Sequence, residues 1–148
     1  MAIIDSLAQF GVDQDISQVT GTYLFTNQID LGIAGRDPGN GQPVYLNIVI
    51  TEAVAGTSST VNFRLRSDDS ATIHATTSSA HIETGDIPEA TLVVGFKLSI
   101  PIPVQGVPYE RYLGLQAVVG GATTTTGKAT AWLSPDPIGW KSYADASN

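Results

Sequence analysis

The chain has 148 residues, of which 42% are hydrophobic and only 14% charged, a composition that fits one folded domain with a single core. Its formal net charge is −7 and its seven Lys and Arg residues are scattered, so no basic stripe exists for a phosphate backbone and nucleic acid is disfavoured as a partner. The absence of cysteine excludes disulfides and cysteine-ligated metals. No segment approaches about 18 uncharged apolar residues, so no membrane span is predicted. The N-terminus, MAIIDSLAQF, carries Asp5 and no Lys or Arg, and its apolar run is too short for a signal-peptide core, so no export signal is predicted.

Residues 1–19 differ in pattern from the rest of the chain. Four apolar residues in this segment fall at helical spacing: Ile3, Ile4, Leu7 and Phe10. Because Gly11 follows and the run is too short to be stable alone, we expect a brief helix or an arm that orders by docking on its own core or on a neighbouring subunit. We treat this segment as the first of three parts, before a β-sandwich domain over residues 20–137 and a C-terminal tail over residues 138–148.

From Thr20 the pattern becomes that of β-strands. TGTYLF and IDLGIA are followed by a loop rich in turn formers, Arg36–Pro43, and then by the alternating strand Val44–Ala53. After the polar turn Gly56–Ser59, a further strand places apolar residues on one face and, on the other, Asn62, Arg64 and Arg66. These two strands are predicted to form a hairpin.

The middle of the chain combines a polar stretch with two long apolar strands. Ser67–Gly85 predicts an exposed hairpin or long loop. A long core strand is then predicted from apolar residues at every second position: Leu92, Val94, Phe96, Leu98, Ile100 and Ile102. After a proline-rich connection, Tyr109–Val119 is predicted to be the central strand against which the other elements pack.

The last predicted strand is Lys128–Ser134, after which Pro135 and Pro137 end the sheet. About eight strands separated by turns, with almost no helix, favour a sandwich over an α/β fold. The long strands and long connections favour a jelly roll. We therefore predict an all-β protein: a jelly-roll-like antiparallel β-sandwich with a short N-terminal helix or arm.

Residues with catalytic or metal-binding chemistry are few. One polar region contains Asp68, Asp69, His74 and His81. These residues could hold a metal, but adjacent aspartates point to opposite sides of an extended chain, and SDDS is typical of a turn capped by side chains. Neither histidine has an evident nucleophile partner. The solvated loop is the better interpretation.

Two other patterns have features of a binding or catalytic site. GGATTTTGKA resembles a phosphate-binding loop, but its two glycines are spaced too widely and Ala129 replaces the magnesium-binding Ser or Thr. Asp30 and Glu110 could form a carboxylate pair, although such residues more often pair with Arg or cap a turn. We therefore predict no enzyme activity, no cofactor and no metal site.

The sequence contains more large apolar residues than a small core with a polar exterior needs. The surplus residues are Tyr45, Val49, Val93, Tyr112, Val118, Trp132 and Trp140. A sheet face that carries such residues often marks association with another protein. Coverage of both faces within the monomer is the equal alternative.

Several stretches, in their order and spacing, resemble the capsid cement proteins of tailed phages, the Bbp16-like family: TNQIDLG, GQPVYLNIVITEA, FRLRSDDSATI, IPEATLVVGFKLSIPIP and ERYLGLQAVVG with AWLSPDP. The resemblance covers roughly Thr26 to Pro137. It implies a jelly roll on the outer surface of the capsid in the virion, which associates with copies of itself and clamps neighbouring major capsid protein subunits. A homodimer and a homotrimer are both open. As contact residues we expect Ile3, Ile4, Leu7, Phe10, Arg64, Arg66, Trp140 and Tyr143.

The alternative function is that of a carbohydrate-binding β-sandwich with a role in host adhesion. Sugar sites use exposed aromatic rings beside acidic and amide side chains. The candidates for such a site are Trp132, Trp140, Tyr143 and Asn62. Burial of the aromatic rings would count against this alternative.

Overall fold

The computed structural model describes residues 6–36, 38–39 and 41–138, and its regular elements are almost all strands. Two 3-10 helices span Ser6–Ala8 and Glu89–Thr91. The strands are β1 (Gln9–Asp15), β2 (Gly21–Leu24), β3 (Ile29–Asp30), β4 (Tyr45–Gly56), β5 (Thr60–Asp68), β6 (Ser79–Glu83), β7 (Ile87–Pro88), β8 (Lys97–Pro101), β9 (Tyr112–Gly120) and β10 (Thr124–Ser134). No helix in the described part of the chain is long and apolar enough to cross a membrane. The all-β prediction is confirmed.

The strands form two antiparallel sheets. Sheet A has the order β1-β10-β4-β8, and sheet B has the order β2-β9-β5-β6, with β3 paired to β9 and β7 to β5. The strands pair as they would in one long hairpin whose tip is β5–β6: β1 pairs with β10, β2 with β9, β4 with β8, and β5 with β6. Successive pairs lie in alternate sheets, as they do when such a hairpin is rolled up. This arrangement is a jelly roll, as the sequence predicted.

The core lies between the two sheets and is built from alternate residues of their strands. Strands β4 and β10 supply it from sheet A, and β5 and β9 supply it from sheet B. Phe25 and Phe63 meet edge to face inside it, with ring centroids 6.5 Å apart. Fully or almost fully buried side chains include Leu46, Ile48, Ile50, Val61, Leu65, Leu113, Leu115, Ala129 and Ala131.

The predicted central strand is confirmed, whereas the predicted hairpin is wrong. Strand β9 lies inside sheet B between β2 and β5, although it begins at Tyr112 rather than Tyr109. Strands β4 and β5 belong to different sheets, so the short connection between them crosses the sandwich instead of forming a hairpin. The crossing is tight, because a Cβ atom on Gly56 would lie 2.1 Å from Ser59 Oγ. Each strand has one apolar face, and the crossing lets these faces meet.

The predicted long strand from Leu92 to Ile102 is also wrong. Only Lys97–Pro101 forms a strand, β8, and the residues before it form a 3-10 helix and a turn. Gly95 has a φ of +85°, a left-handed conformation that reverses the chain. Leu92 is therefore fully buried while Val94 is 65% exposed, although the alternation placed them on one face.

The N-terminal segment contains a strand that the helical spacing did not predict. Within the described part of this segment, from residue 6 onwards, helix is limited to Ser6–Ala8, and Gln9–Asp15 pairs with β10 as an edge strand of sheet A. The register of this pairing shifts around Gly11, which is typical of a bulged edge strand. Pairing with β10 supplies backbone hydrogen bonds that a short isolated helix could not match.

Candidate contact surfaces

The N-terminal candidates for contact differ sharply in exposure. Leu7 is 83% exposed. Phe10 is fully buried within its own core. Phe10 is therefore a core residue and not a contact residue. This agrees with the expectation that the N-terminal segment docks on its own core. Ile3 and Ile4 lie outside the described residues.

An apolar pocket of about 250 Å³ lies beside the first 3-10 helix, at the end of the sandwich where β4 begins and β10 ends. It is lined by Ala8, Ile29, Leu31, Pro38, Val44, Leu133, Ser134 and Pro135. None of these described lining residues has a titratable side chain, so they offer no acid or base for catalysis. The pocket suits an aliphatic side chain, since a smaller apolar cavity of roughly 150 Å³ already holds benzene.

The two arginine candidates stand on the outer face of sheet B, as predicted, and both are held by neighbours in the same chain. Arg64 forms an ion pair with Glu83 at 2.8 Å, and Arg66 Nη1 donates to the Ser78 carbonyl oxygen at 3.1 Å. Hydrogen bonding from Asn62, together with the charge of Arg64, lowers the pKa of Glu83. Both arginines therefore already have partners within the chain.

The connection between β5 and β6 folds back on the outer face of sheet B. Ile73 is 4% exposed and packs over Gly114, where an added Cβ would lie 2.7 Å from Ile73 Cγ1. The buried Gln116 amide donates to the carbonyl oxygens of Ile73 and His74, each at 3.2 Å. This loop is thus packed against the sheet in part, and the strand face beneath it is covered.

The expected turn at Asp68 is present, and it includes His74, one of the two histidines that could have been metal ligands. The His74 backbone N–H donates to Asp68 Oδ2 at 3.1 Å, and His74 Nδ1 lies 3.2 Å from the same oxygen. The backbone hydrogen bond from His74 is the largest cause of a lowered Asp68 pKa. Among the residues that the structure describes, no group of three potential metal ligands comes together.

The second histidine has a nucleophile partner that sequence reasoning missed. Ser67 Oγ lies 2.7 Å from His81 Nε2, and the His81 ring stacks on Tyr109 with centroids 4.1 Å apart. Burial lowers the pKa of His81 to about 4, so the ring is neutral at pH 7. Because Ser67 Oγ also accepts the Glu110 backbone N–H at 2.9 Å, we assign its hydroxyl proton to the bond with Nε2.

The Ser67–His81 pair is structural in this arrangement. Ser67 is fully buried, and its oxygen is occupied by the Glu110 N–H, so no substrate can approach it without local opening. The pair joins β5, edge strand β6 and the segment before β9. No spacing rule in the sequence indicates it, because the two residues meet only through the pairing of β5 with β6.

Asp30 and Glu110 do not form a carboxylate pair. Asp30 makes a two-pronged ion pair with Arg111, with both N–O distances at 3.0 Å, and this hydrogen bonding lowers the pKa of Asp30. Glu110 accepts a hydrogen bond from Ser79. The preferred interpretation, pairing with Arg, is confirmed for Asp30.

Residues 135–138 cross the outer face of sheet A after β10 ends. The Asn47 amide donates to the Asp136 carbonyl oxygen at 3.0 Å and accepts from Ser99 Oγ at 2.7 Å. The Ile138 N–H lies 3.2 Å from Ser99 Oγ, which ties the crossing segment to β8 as well as β4. This part of the face is therefore covered by the chain itself.

Two of the residues considered for sugar binding are buried. Trp132, on the same outer face of sheet A, is 5% exposed, and Asn62 is 3% exposed with its amide bonded to Glu83. Neither offers an open platform for a sugar ring. Trp140 and Tyr143 lie outside the described residues.

Several large apolar side chains are exposed, and most of them were not predicted. Of the surplus residues named from the sequence, Val93 is exposed, Trp132 is buried and Tyr45, Val49, Tyr112 and Val118 are half-buried. The exposed large apolar residues in the described part of the chain are Leu7, Val12, Val19, Ile33, Val93, Val94, Val104 and Val107. Most of these lie in loops, where side-chain alternation carries no information about burial.

Comparison with known proteins gave one family match. The family model described as Bbp16 matches residues 14–133, which is most of the chain and nearly all of the jelly roll. No curated protein matches the chain.

Proposed function

Because the chain belongs to the Bbp16 family, we propose that it is a capsid cement protein of a tailed phage, which binds the outside of the head and clamps neighbouring major capsid protein subunits. The observation that carries the proposal is the family match over residues 14–133. The resemblance of the sequence to capsid cement proteins supplies the function, and the jelly roll is the fold which that resemblance implies.

The described surface supports a binding role. Eight large apolar side chains are more than half exposed, on a domain whose core is otherwise well packed. Among the described residues, the nearest approach to a catalytic arrangement is Ser67 with His81, and the Ser67 side chain is fully buried. A rigid domain with exposed apolar groups suits adhesion better than chemistry.

Stabilisation of the shell follows from binding to the assembled state. A protein that binds only the assembled lattice shifts the equilibrium away from disassembly by mass action. Contacts to several subunits at once raise the effective concentration of each further contact, so individually modest contacts are sufficient. Association with further copies, as a homodimer or homotrimer on the virion surface, would add to this effect.

The proposal is tested with phage heads prepared without this protein. Purified protein is added, and the heads are heated while DNA release is followed with a dye. We expect added protein to sediment with the heads and to raise the temperature of DNA release. Equal release temperatures with and without bound protein would contradict the stabilising role, and failure to sediment with the heads would contradict capsid binding itself.

The contact residues are tested in the same assay. Leu7 is the described member of the N-terminal set whose side chain is mostly exposed, and we propose it as a contact together with Ile3 and Ile4. Leu7→Asp is expected to weaken binding to heads without changing the unfolding midpoint. Val12→Asp is the matched control, because Val12 is also exposed but lies on edge strand β1.

A further inference from the structure

The apolar pocket beside the first 3-10 helix continues the core outward at the end of the sandwich. Sheet B contributes Ile29 from β3 and Leu31 directly after it, and sheet A contributes Leu133 and Ser134 from the end of β10. Leu31 and Leu133 belong to the buried core, and Ala8 packs against that core. No side chain of the described part of the chain occupies this volume of about 250 Å³.

The chemistry of the lining favours an aliphatic occupant. Apolar atoms around an unfilled volume lack the dispersion contacts that a packed side chain would supply. A buried water needs roughly two to four polar partners, and the one polar side chain in the described lining, Ser134, already accepts the Asp136 N–H at 3.1 Å. A charged side chain would lose its hydration without gaining a partner. The pocket therefore selects for an uncharged apolar group.

The described chain begins beside this pocket. The helix Ser6–Ala8 ends at a residue that lines the pocket, and the position of Ala8 is fixed because Gln9 directly after it pairs with β10. Residues 1–5, with the sequence MAIID, lie outside the described residues and directly precede this helix. Among these five residues, Ile4 is the large apolar residue nearest to the pocket along the chain.

The connection is long enough for Ile4 to reach the pocket. Ile4 precedes Ala8 by four positions, so their Cα atoms lie at most about 14 Å apart. Such a short link makes binding intramolecular, with an effective concentration of about millimolar or above. A second copy of the chain would need a comparable concentration in solution to compete.

The C-terminal tail is less well placed to supply the occupant. Pro135 lines the pocket, but the chain then crosses the outer face of sheet A, where the Ile138 N–H lies 3.2 Å from Ser99 Oγ. Residues 139–148 follow from this outer face and would have to return to the end of the sandwich. Their large apolar residues, Trp140 and Tyr143, also carry polar ring atoms that need partners when buried.

We propose that the Ile4 side chain of the same chain occupies this pocket and holds the N-terminal segment against the end of the sandwich. The inference concerns the free protein, so it goes beyond the proposed function and does not depend on it. If Ile4 also contacts a capsid subunit, it must first leave the pocket, and the net affinity that this contact supplies is reduced accordingly.

Methyl NMR of the free, full-length protein tests the occupant directly. With isotope-labelled Ile, Leu and Val methyl groups, we expect nuclear Overhauser cross-peaks from Ile4 to Leu31 and Val44 in the lining. Ile4→Leu keeps an aliphatic occupant but removes the Ile4 signals, so it confirms their assignment. Absence of cross-peaks between Ile4 and the lining would overturn the inference.

Two other occupants give different spectra. Cross-peaks from the rings of Trp140 or Tyr143 to the lining, in place of those from Ile4, would show that the C-terminal tail fills the pocket. In a sample that mixes labelled and unlabelled protein, cross-peaks between copies would show that the N-terminal segment of a second copy fills it. Either result overturns the inference.

Urea unfolding compares the same new charge at two neighbouring positions. Ile4→Asp should raise the unfolding equilibrium constant by on the order of 10-fold, because the gain from burying an aliphatic side chain is partly offset by the cost of ordering the segment. Leu7→Asp is the matched control, since Leu7 is 83% exposed, and it should change this constant by no more than roughly 2-fold. Equal effects of the two substitutions would overturn the inference.

The dependence on protein concentration provides a further check. A contact within one chain gives the same difference between Ile4→Asp and wild type at every protein concentration, whereas a contact between copies gives a difference that grows with concentration. Growth of the difference would overturn the inference. These measurements use free protein without heads, so the inference and the proposed function fail separately.

Discussion

Protonation of His81 should make stability depend on pH between neutrality and about pH 4. In the folded state, burial lowers the pKa of His81 from 6.5 to about 4, so folding favours the neutral ring. The unfolded chain binds a proton at about pH 6.5, whereas the folded chain does not. The free energy of unfolding is therefore at its full value above pH 6.5 and falls as the pH decreases towards 4.

The size of this loss follows from the pKa difference and the burial of the ring. A fall from 6.5 to about 4 corresponds to an upper limit of about 3.4 kcal/mol, at roughly 1.4 kcal/mol for each pKa unit. Because the imidazole is only partly buried, water screens part of this cost, and we expect a loss of about 2 kcal/mol.

The assay is urea unfolding of wild type and His81→Gln at intervals from about pH 7.5 to about pH 4.5. Glutamine keeps an acceptor for the Ser67 hydroxyl but does not titrate. Over this pH range, the free energy of unfolding of His81→Gln should fall by about 2 kcal/mol less than that of wild type. His74→Gln is the control, since the His74 side chain is 64% exposed, and the part of the loss that comes from His81 should remain in this variant.

The comparison isolates His81 from the acidic residues. Asp15, Asp30, Asp68 and Glu83 also have lowered pKa values, so the stability they contribute is lost only as the pH falls towards and below their usual range near 4. That loss is common to wild type and His81→Gln, so it cancels in the difference between these two proteins. If His81→Gln loses as much stability as wild type, the ring is not held neutral and the reasoning is refuted.

Three further predictions concern packing. Gly114→Ala should destabilise the fold by about 1–3 kcal/mol in urea unfolding, because the added Cβ would overlap Ile73. Ile73→Ala in the same protein should restore part of this stability, and additive losses of the two substitutions would contradict the overlap. Phe63→Ala should cost about 3–5 kcal/mol, and a cost below about 1 kcal/mol would show that the site is not close-packed. Asn47→Ala should release residues 135–138 and shift the fluorescence of Trp132 to the red, and the spectrum is measured in a variant that lacks the other tryptophan. An unchanged spectrum would show that Asn47 does not hold the crossing segment.

Alternation along the chain was sufficient to predict the fold class and the best strands. In β5 and β9, apolar residues at every second position face the core, as expected from Phe63 and Leu115. The same rule failed at residues 92–102, because Gly95 reverses the chain inside an apparently unbroken pattern. Period-two alternation describes which side a residue faces only while the backbone stays extended.

The contact surfaces were less predictable than the fold. Phe10 and Trp132 looked equally suited to the surface or the core, and both are buried. Val94 looked like a core residue, and it is exposed. Exposure depends on which segments cover a side chain from above, and those segments are distant in sequence.

The amino-acid sequence by itself determined that this chain forms strands with one apolar face, without disulfides, around a single core. Those properties depend on residue type and on neighbours one or two positions away. Only the tertiary structure decided that β4 and β5 lie in different sheets, that Ser67 meets His81, and that an apolar pocket lies beside Ala8. Each of these depends on long-range pairing between strands, in which many weak contacts act together and no single residue specifies its partner.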